Sequence, residues 1–217
     1  MNKNNNKKKF IFLLDKNNDW IGKYFPKLIN KLPKKYEYKI TKNPKLVKNK
    51  IVFVLSYTKI LKQEFINKNI EVLIIHPSKL PLDKGFSPVQ NQVLRKQNLI
   101  HLSMFKASNK IDSGPICIRD TFYLKGHELS EEIRKKQADA IFKIILKYLN
   151  KFPNIKFTKQ KGLSNYNKKR NFLDNRLNIN KSIKSQFNLL RIVDNENYPA
   201  HFKYKNNKYL IKIFREK

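Results

Sequence analysis

The chain has 217 residues, 40% of them apolar, and carries 48 lysines and arginines against 16 acidic residues, a net charge of +32. That length suits one domain, or one domain with a modest appendage. No apolar run is long enough to cross a bilayer, and a lone cysteine, Cys117, excludes an internal disulfide and a cysteine-based zinc site. The charge invites a nucleic-acid reading, but only seven arginines occur and lysine is spread evenly along the chain with abundant asparagine and isoleucine. Compositional drift of the AT-rich kind explains this better than a dedicated phosphate-binding surface, although such a field still attracts anionic substrates.

In chain order, residues 1–9 are polar and are expected to fray. Phe10 to Leu14 read as a first buried strand. That block is too short for a signal-peptide core, so the cytoplasm is the expected location. Ile21, Phe25, Leu28, Ile29 and Leu32 have helical spacing, with Pro26 tolerable near the helix start. No glycine-rich turn separates strand from helix, so a dinucleotide fingerprint is absent. Tyr36 to Ile40 predict a short strand. Ile51 to Leu55 form a continuous apolar run, as in a parallel strand covered on both faces, and Ser56-Tyr57 follow at its end.

Val72 to Ile75 predict the next strand, which delivers His76 at its C-terminal end. Pro77 and Pro81 stiffen the turn beyond it. Ser87, Pro88 and Gln90 suggest a capping box opening a helix to about Gln97, with Val89 and Val93 inward. Leu99 to Phe105 predict a strand with Leu99, His101, Ser103 and Phe105 on one face, and His101 is given no role. A loop follows, then Asp112-Ser113-Gly114 and a short strand, Ile116 to Ile118, with Cys117 expected in the core. In open α/β sheets ligands bind outside the carboxyl ends of strands, so His76 and Asp112 can face one cleft as a proton-transfer pair.

Ser130 with Glu131 and Glu132 marks a helix start, and Ile133, Ala140, Ile141, Ile144, Ile145, Tyr148 and Leu149 give it an apolar stripe. Ser182 to Val193 predict a second helix, with Ile183, Phe187, Leu189 and Leu190 on its apolar side. Phe202 to Tyr204 and Lys208 to Phe214 predict a hairpin around Asn206-Asn207.

His76-Pro77-Ser78, Leu80-Pro81, Gly85, Pro88 and Asp112-Ser113-Gly114 together resemble the transferases that move a formyl group from 10-formyltetrahydrofolate to an amine. That family carries Asn-x-His, then Leu-Pro, Gly and Pro, then Asp-x-Gly. The interval from His76 to Asp112 suits it as well. One position departs: the family's asparagine falls at Ile74. The resemblance implies an α/β fold with a Rossmann-like, mostly parallel sheet flanked by helices. Residues 1–156 would form the catalytic domain and 157–217 a small C-terminal extension of helix and hairpin.

It further implies His76 and Asp112 as catalytic residues, and no metal. Ser56, Tyr57, Ser78, Leu80, Ser108, Asn109, Lys110 and Ile111 would lie along the folate. Gly85, Pro88, Gln160, Tyr166 and Arg170 would lie along the acceptor. With about 60 residues beyond Phe157, a full barrel domain is not expected. The expected acceptor is therefore an amino-sugar nucleotide, with methionyl-tRNA as the alternative. The Leu190-Arg191-Ile192 and Tyr198-Pro199-Ala200 stretches also resemble sugar-nucleotide formyltransferases. A non-catalytic folate- or RNA-binding member is a third reading, which Ile74 favours. Oligomeric state is left open.

Overall fold

A computed structural model describes residues 7–216. The strands are β1 (Lys9–Leu14), β2 (Glu37–Thr41), β3 (Ile51–Leu55), β4 (Glu71–His76), β5 (Lys84–Gly85), β6 (Leu99–Lys106), β7 (Ile116–Tyr123), β8 (Tyr166–Asn167), β9 (Ala200–Tyr204) and β10 (Asn207–Ile211). The α-helices are α1 (Phe25–Ile29), α2 (Gln63–Asn67), α3 (Pro88–Leu94), α4 (Ser130–Lys151) and α5 (Ile183–Ile192). The central sheet has the order β2-β1-β3-β4-β6-β7. β1 to β4 run parallel, whereas β6 pairs antiparallel with both β4 and β7. This is the expected mostly parallel, Rossmann-like α/β sheet.

The two apolar runs explain its middle. Every residue from Phe10 to Leu14 and from Ile51 to Leu55 is buried. Because strand side chains alternate, each run feeds both faces. Phe10, Phe12 and Phe53 meet α1 and the α4 stripe of Ala140, Ile141, Ile144, Ile145, Tyr148 and Leu149 on one side. Ile11, Leu13, Val52, Val54 and Val72 meet Phe65 of α2 on the other. Both cores are therefore packed by helices over the same strands.

Several local expectations are corrected. Lys9 already belongs to β1 rather than to a frayed end, while residues 1–6 lie outside the described residues. Ile29 is exposed, because α1 is a short turn preceded by a 3-10 turn at Gly22–Tyr24. Ser87 sits left-handed at φ 51° and makes no side-chain cap, so the Ser87–Gln90 box does not form, and α3 stops at Leu94. Ser130 is the first residue of α4 and not its cap. Glu132 instead accepts from the Leu129 N–H at 3.0 Å. The one-face set expected in β6 is interrupted by an irregularity between Met104 and Phe105. Cys117 is only half-buried, and β7 runs on to Tyr123. In α5, Ser182 caps through Ser185, but Ile183 is exposed.

Residues beyond 156 return to the sheet rather than leaving it. Thr158 bridges Ile116, and β8 pairs with β5. Arg191 of α5 is 1% exposed and reaches the Glu128 carboxylate at 3.2 Å and its carbonyl at 3.0 Å. The hairpin of β9 and β10 turns at Lys205 and Asn206, both left-handed, as a two-residue turn requires.

Candidate active site

β4 ends the parallel part of the sheet, and His76 is its last residue. The side chain is 9% exposed. Its Nε2 lies 2.8 Å from the Asp83 carbonyl, which can only accept, so Nε2 carries the hydrogen. Its Nδ1 lies 3.7 Å from Asp112 Oδ2. The two chemistry-bearing side chains thus meet at the sheet edge, close enough for one to hand a proton to the other after a small adjustment.

Asp112 is held from several sides. Its Oδ2 accepts the Gly85 N–H at 2.8 Å. Its backbone is left-handed at φ 47°, a conformation aspartate tolerates. Gln160 donates from Nε2 to both the Asp112 and the Gly114 carbonyls, at 2.9 and 2.8 Å. Gly114 is there for space: a Cβ would lie 1.7 Å from the Lys106 carbonyl oxygen. Gly85, at φ 89°, is constrained likewise, with a Cβ position 2.6 Å from the Asn167 carbonyl oxygen. Lys84 is buried and donates to Ser113 Oγ at 2.7 Å, and Ser113 donates on to the Ile111 carbonyl.

The residues expected along the folate fall in two groups. Ser56 and Tyr57 follow β3, next to β4 in the sheet; Ser56 is left-handed, and burial pushes the Tyr57 phenol up. Ser108 caps its own loop through the Lys110 carbonyl at 3.0 Å, while Asn109, Lys110 and Ile111 are exposed. Among the described residues, the backbone N–H groups of residues 108–111 donate to no protein acceptor. These N–H groups are free to donate to a bound ligand beside His76 and Asp112. Ser78 and Leu80 are instead fully buried: Leu80 packs with Phe105 and Ile116, and Ser78 Oγ has no partner among the described residues.

Of the residues expected along the acceptor, Pro88 opens α3 and Tyr166 donates to the Ile111 carbonyl at 3.2 Å. Arg170 bonds within its own segment, to the Asp174 carbonyl and Asn175 Oδ1, both at 2.9 Å. It lines a cleft of about 280 Å³ with Asn91, Asn167, Lys168 and Lys169. A larger groove of about 550 Å³ lies between α1 and α4 and contains none of these residues. Asp83, Arg95, Asn165 and Asn167, which surround the His76 carbonyl partner, went unread in the sequence. They stand up to 84 positions apart and carry no motif.

Residues 4–149 match the family described as Formyl transferase. The chain belongs to the formyl transferase family. A methionyl-tRNA formyltransferase of Thermosipho melanesiensis is 28% identical over 162 residues, 75% of this chain and 53% of that protein. The chain therefore spans about half the length of that curated relative. A solved methionyl-tRNA formyltransferase from Clostridium thermocellum superposes with a TM-score of 0.82 at 21% identity, over 97% of this chain and 94% of that one. A 4-N formyltransferase from Francisella tularensis gives 0.74 at 17% identity, over 96% and 98% of the two chains. Those two structures share the fold.

Proposed function

We propose that this formyl transferase moves the formyl group of 10-formyltetrahydrofolate to a primary amine, with His76 and Asp112 as its catalytic residues. The observation that carries the reading is the placement of His76 Nδ1 3.7 Å from Asp112 Oδ2 at the end of β4, inside a chain that matches the family. The folate supplies an activated formyl carbon. The loop of residues 108–111 holds its ring through free N–H groups, and Ser56-Tyr57 border it.

The acceptor nitrogen attacks the formyl carbon and must lose a proton, which Asp112 accepts. The proton then leaves on the folate nitrogen as the old C–N bond breaks, so the exchange is balanced without any other reactant. Because the His76 Nε2–H is tied to Asp83, the ring takes up and gives back protons at Nδ1, the edge facing Asp112. As imidazolium it donates to the departing nitrogen or to the oxyanion. Ile74 leaves the oxyanion short of the amide donor that the family carries. One such donor is worth about 3 kcal/mol of transition-state stabilisation, so slow turnover is expected.

The acceptor favoured here is an amino-sugar nucleotide, on the Leu190-Arg191-Ile192 and Tyr198-Pro199-Ala200 stretches of the C-terminal part and on a fold shared with a solved sugar N-formyltransferase; the fold is shared at least as closely with a methionyl-tRNA formyltransferase and does not choose between the two acceptors. The similarity of the sequence to methionyl-tRNA formyltransferases favours methionyl-tRNA as a second reading. Incubating the purified chain with 10-formyltetrahydrofolate and either an amino-sugar nucleoside diphosphate or methionyl-tRNA separates them. Formylated sugar detected by mass spectrometry supports the first reading, and formylmethionyl-tRNA alone supports the second. No product from either, with folate bound, removes both.

A further inference from the structure

Asp83 is a buried carboxylate beside the proposed site that the formyl-transfer chemistry does not use. A carboxylate taken out of water must be paired or it destabilises the fold. Asp83 is paired three ways: to Arg95 at 2.5 Å, to Asn167 Nδ2 at 3.0 Å and to Asn165 Nδ2 at 3.4 Å. Its own N–H donates to Asn165 Oδ1 at 2.9 Å. The residue closes the turn of residues 80–83 with a left-handed backbone, φ 58°, which aspartate tolerates, and its carbonyl faces His76 Nε2 at 2.8 Å.

We propose that Asp83 is a positioning residue: clamped by Arg95, Asn165 and Asn167, its main chain fixes the tautomer of His76 and turns Nδ1 toward Asp112. A ring whose Nε2–H is engaged by a carbonyl keeps Nδ1 bare in the neutral form. Without that engagement the ring is free to flip or to place its hydrogen on either nitrogen, and part of the population presents the wrong edge to Asp112. The clamp also recruits the segment after residue 156, because Asn165 precedes β8 and Asn167 is its last residue, and β8 pairs with Lys84 and Gly85. The C-terminal part of the chain thereby reaches His76 through Asp83, as it reaches Asp112 through Gln160. The kinetic part of this inference rests on the formyl-transfer reading; the structural part does not.

The test is the tautomer itself. Long-range proton–nitrogen NMR spectra of the full chain, recorded at a pH where the ring is neutral, should show His76 protonated at Nε2, its signals assigned by their loss in His76→Gln. Asp83→Gly keeps the left-handed backbone and removes the clamp. It should give mixed or broadened ring signals, with kcat down by about tenfold and KM for 10-formyltetrahydrofolate changed by less than about twofold. Asp83→Asn, which keeps an oxygen for Asn167, should restore most of both. Arg95→Ala is the second variant, since that side chain is 43% exposed and its loss spares the core; it should shift the ring signals in the same direction. An unchanged His76 tautomer in folded Asp83→Gly overturns the proposal, and so does an unchanged spectrum in Arg95→Ala if Asp83→Gly fails to fold. A parent without transferase activity that still shows the Asp83-dependent tautomer sinks formyl transfer and leaves the positioning role standing.

Discussion

Around β1 and β3 every residue from Phe10 to Leu14 and from Ile51 to Leu55 is buried and apolar, whereas the buried set around the end of β4 includes His76, Ser78, Asp83, Lys84, Gln92 and Ser103. The first region is held by area and shape. Phe53 alone stacks on Phe10 and Phe12 at 5.9 and 5.5 Å and meets the Tyr148 ring edge-on at 5.3 Å. The second is held by donors and acceptors: Ser103 Oγ on the Ser78 carbonyl at 2.8 Å, Gln92 on the Pro77 carbonyl at 2.7 Å, and the Asp83 clamp. Packing tolerates small shifts of its members, but a hydrogen bond loses its partner when either end moves. The polar region can therefore fix two side chains in register for chemistry, and the apolar one supplies the stiffness beneath it.

The largest expected effect lies in the apolar region. Phe53→Ala should cost about 3–5 kcal/mol of stability in denaturant titrations, with kcat of the surviving folded enzyme nearly unchanged. A fall in kcat as large as the loss of stability would show that the two regions are not separable.

Acid should act on a polar anchor away from the pair. Glu128 is 2% exposed, and although burial pushes its carboxyl up, bonds from Lys136 and the Lys125 and Gly126 N–H groups bring it down to about 2. A carboxyl whose folded value is depressed stabilises the fold above its unfolded value, 4.5, and that contribution is lost as pH falls toward 2. Up to about 3 kcal/mol should disappear across that window, and Glu128→Gln should flatten the pH dependence of unfolding. An equally steep acid loss in Glu128→Gln would move the anchor elsewhere.

Gly114→Ala comes next. A Cβ placed against the Lys106 carbonyl must push the Asp112 loop aside. The stability cost should be about 1–3 kcal/mol, with a drop in activity of about a hundredfold from the displaced carboxylate. Full activity in this variant would mean that the loop position is immaterial.

The smallest effect should come from Ile74→Asn. Ile74 packs with Leu80, Phe105 and Ile116, so an amide there gives up apolar contact while adding a donor near the formyl oxygen. Activity should rise, but by less than about tenfold, because the new amide needs a partner to hold it. A decrease would show that the oxyanion is served by another group.

The same contrast explains what was legible in the sequence. Phe10–Leu14, Ile51–Leu55 and the α4 stripe announce themselves by period and composition, and the parallel sheet follows from them. His76 stood out because it ends an apolar run just before Pro77, and Asp112 because its polar loop leads at once into Ser113-Gly114-Pro115. Ser87 misled because its hydroxyl was assigned to a cap, whereas the backbone there is left-handed and delivers no side chain to the helix. The Asp83 clamp was invisible for another reason: Asp83 and Asn165 are brought together only by the pairing of β5 with β8, and two-residue strands leave no periodic trace. Gln160 was expected along the acceptor; in the structure its Nε2 is occupied by the Asp112 and Gly114 carbonyls.

The most direct test of the central claim is tetrahydrofolate release from 10-formyltetrahydrofolate, followed in parallel for the parent, His76→Ala and Asp112→Ala with an amino-sugar nucleotide present. Acceptor-dependent release by the parent, reduced by at least about a hundredfold in each variant with folate affinity retained, is the expected result. Release that survives both alanine substitutions at the parent rate would contradict the assignment of His76 and Asp112 as the proton-transfer pair.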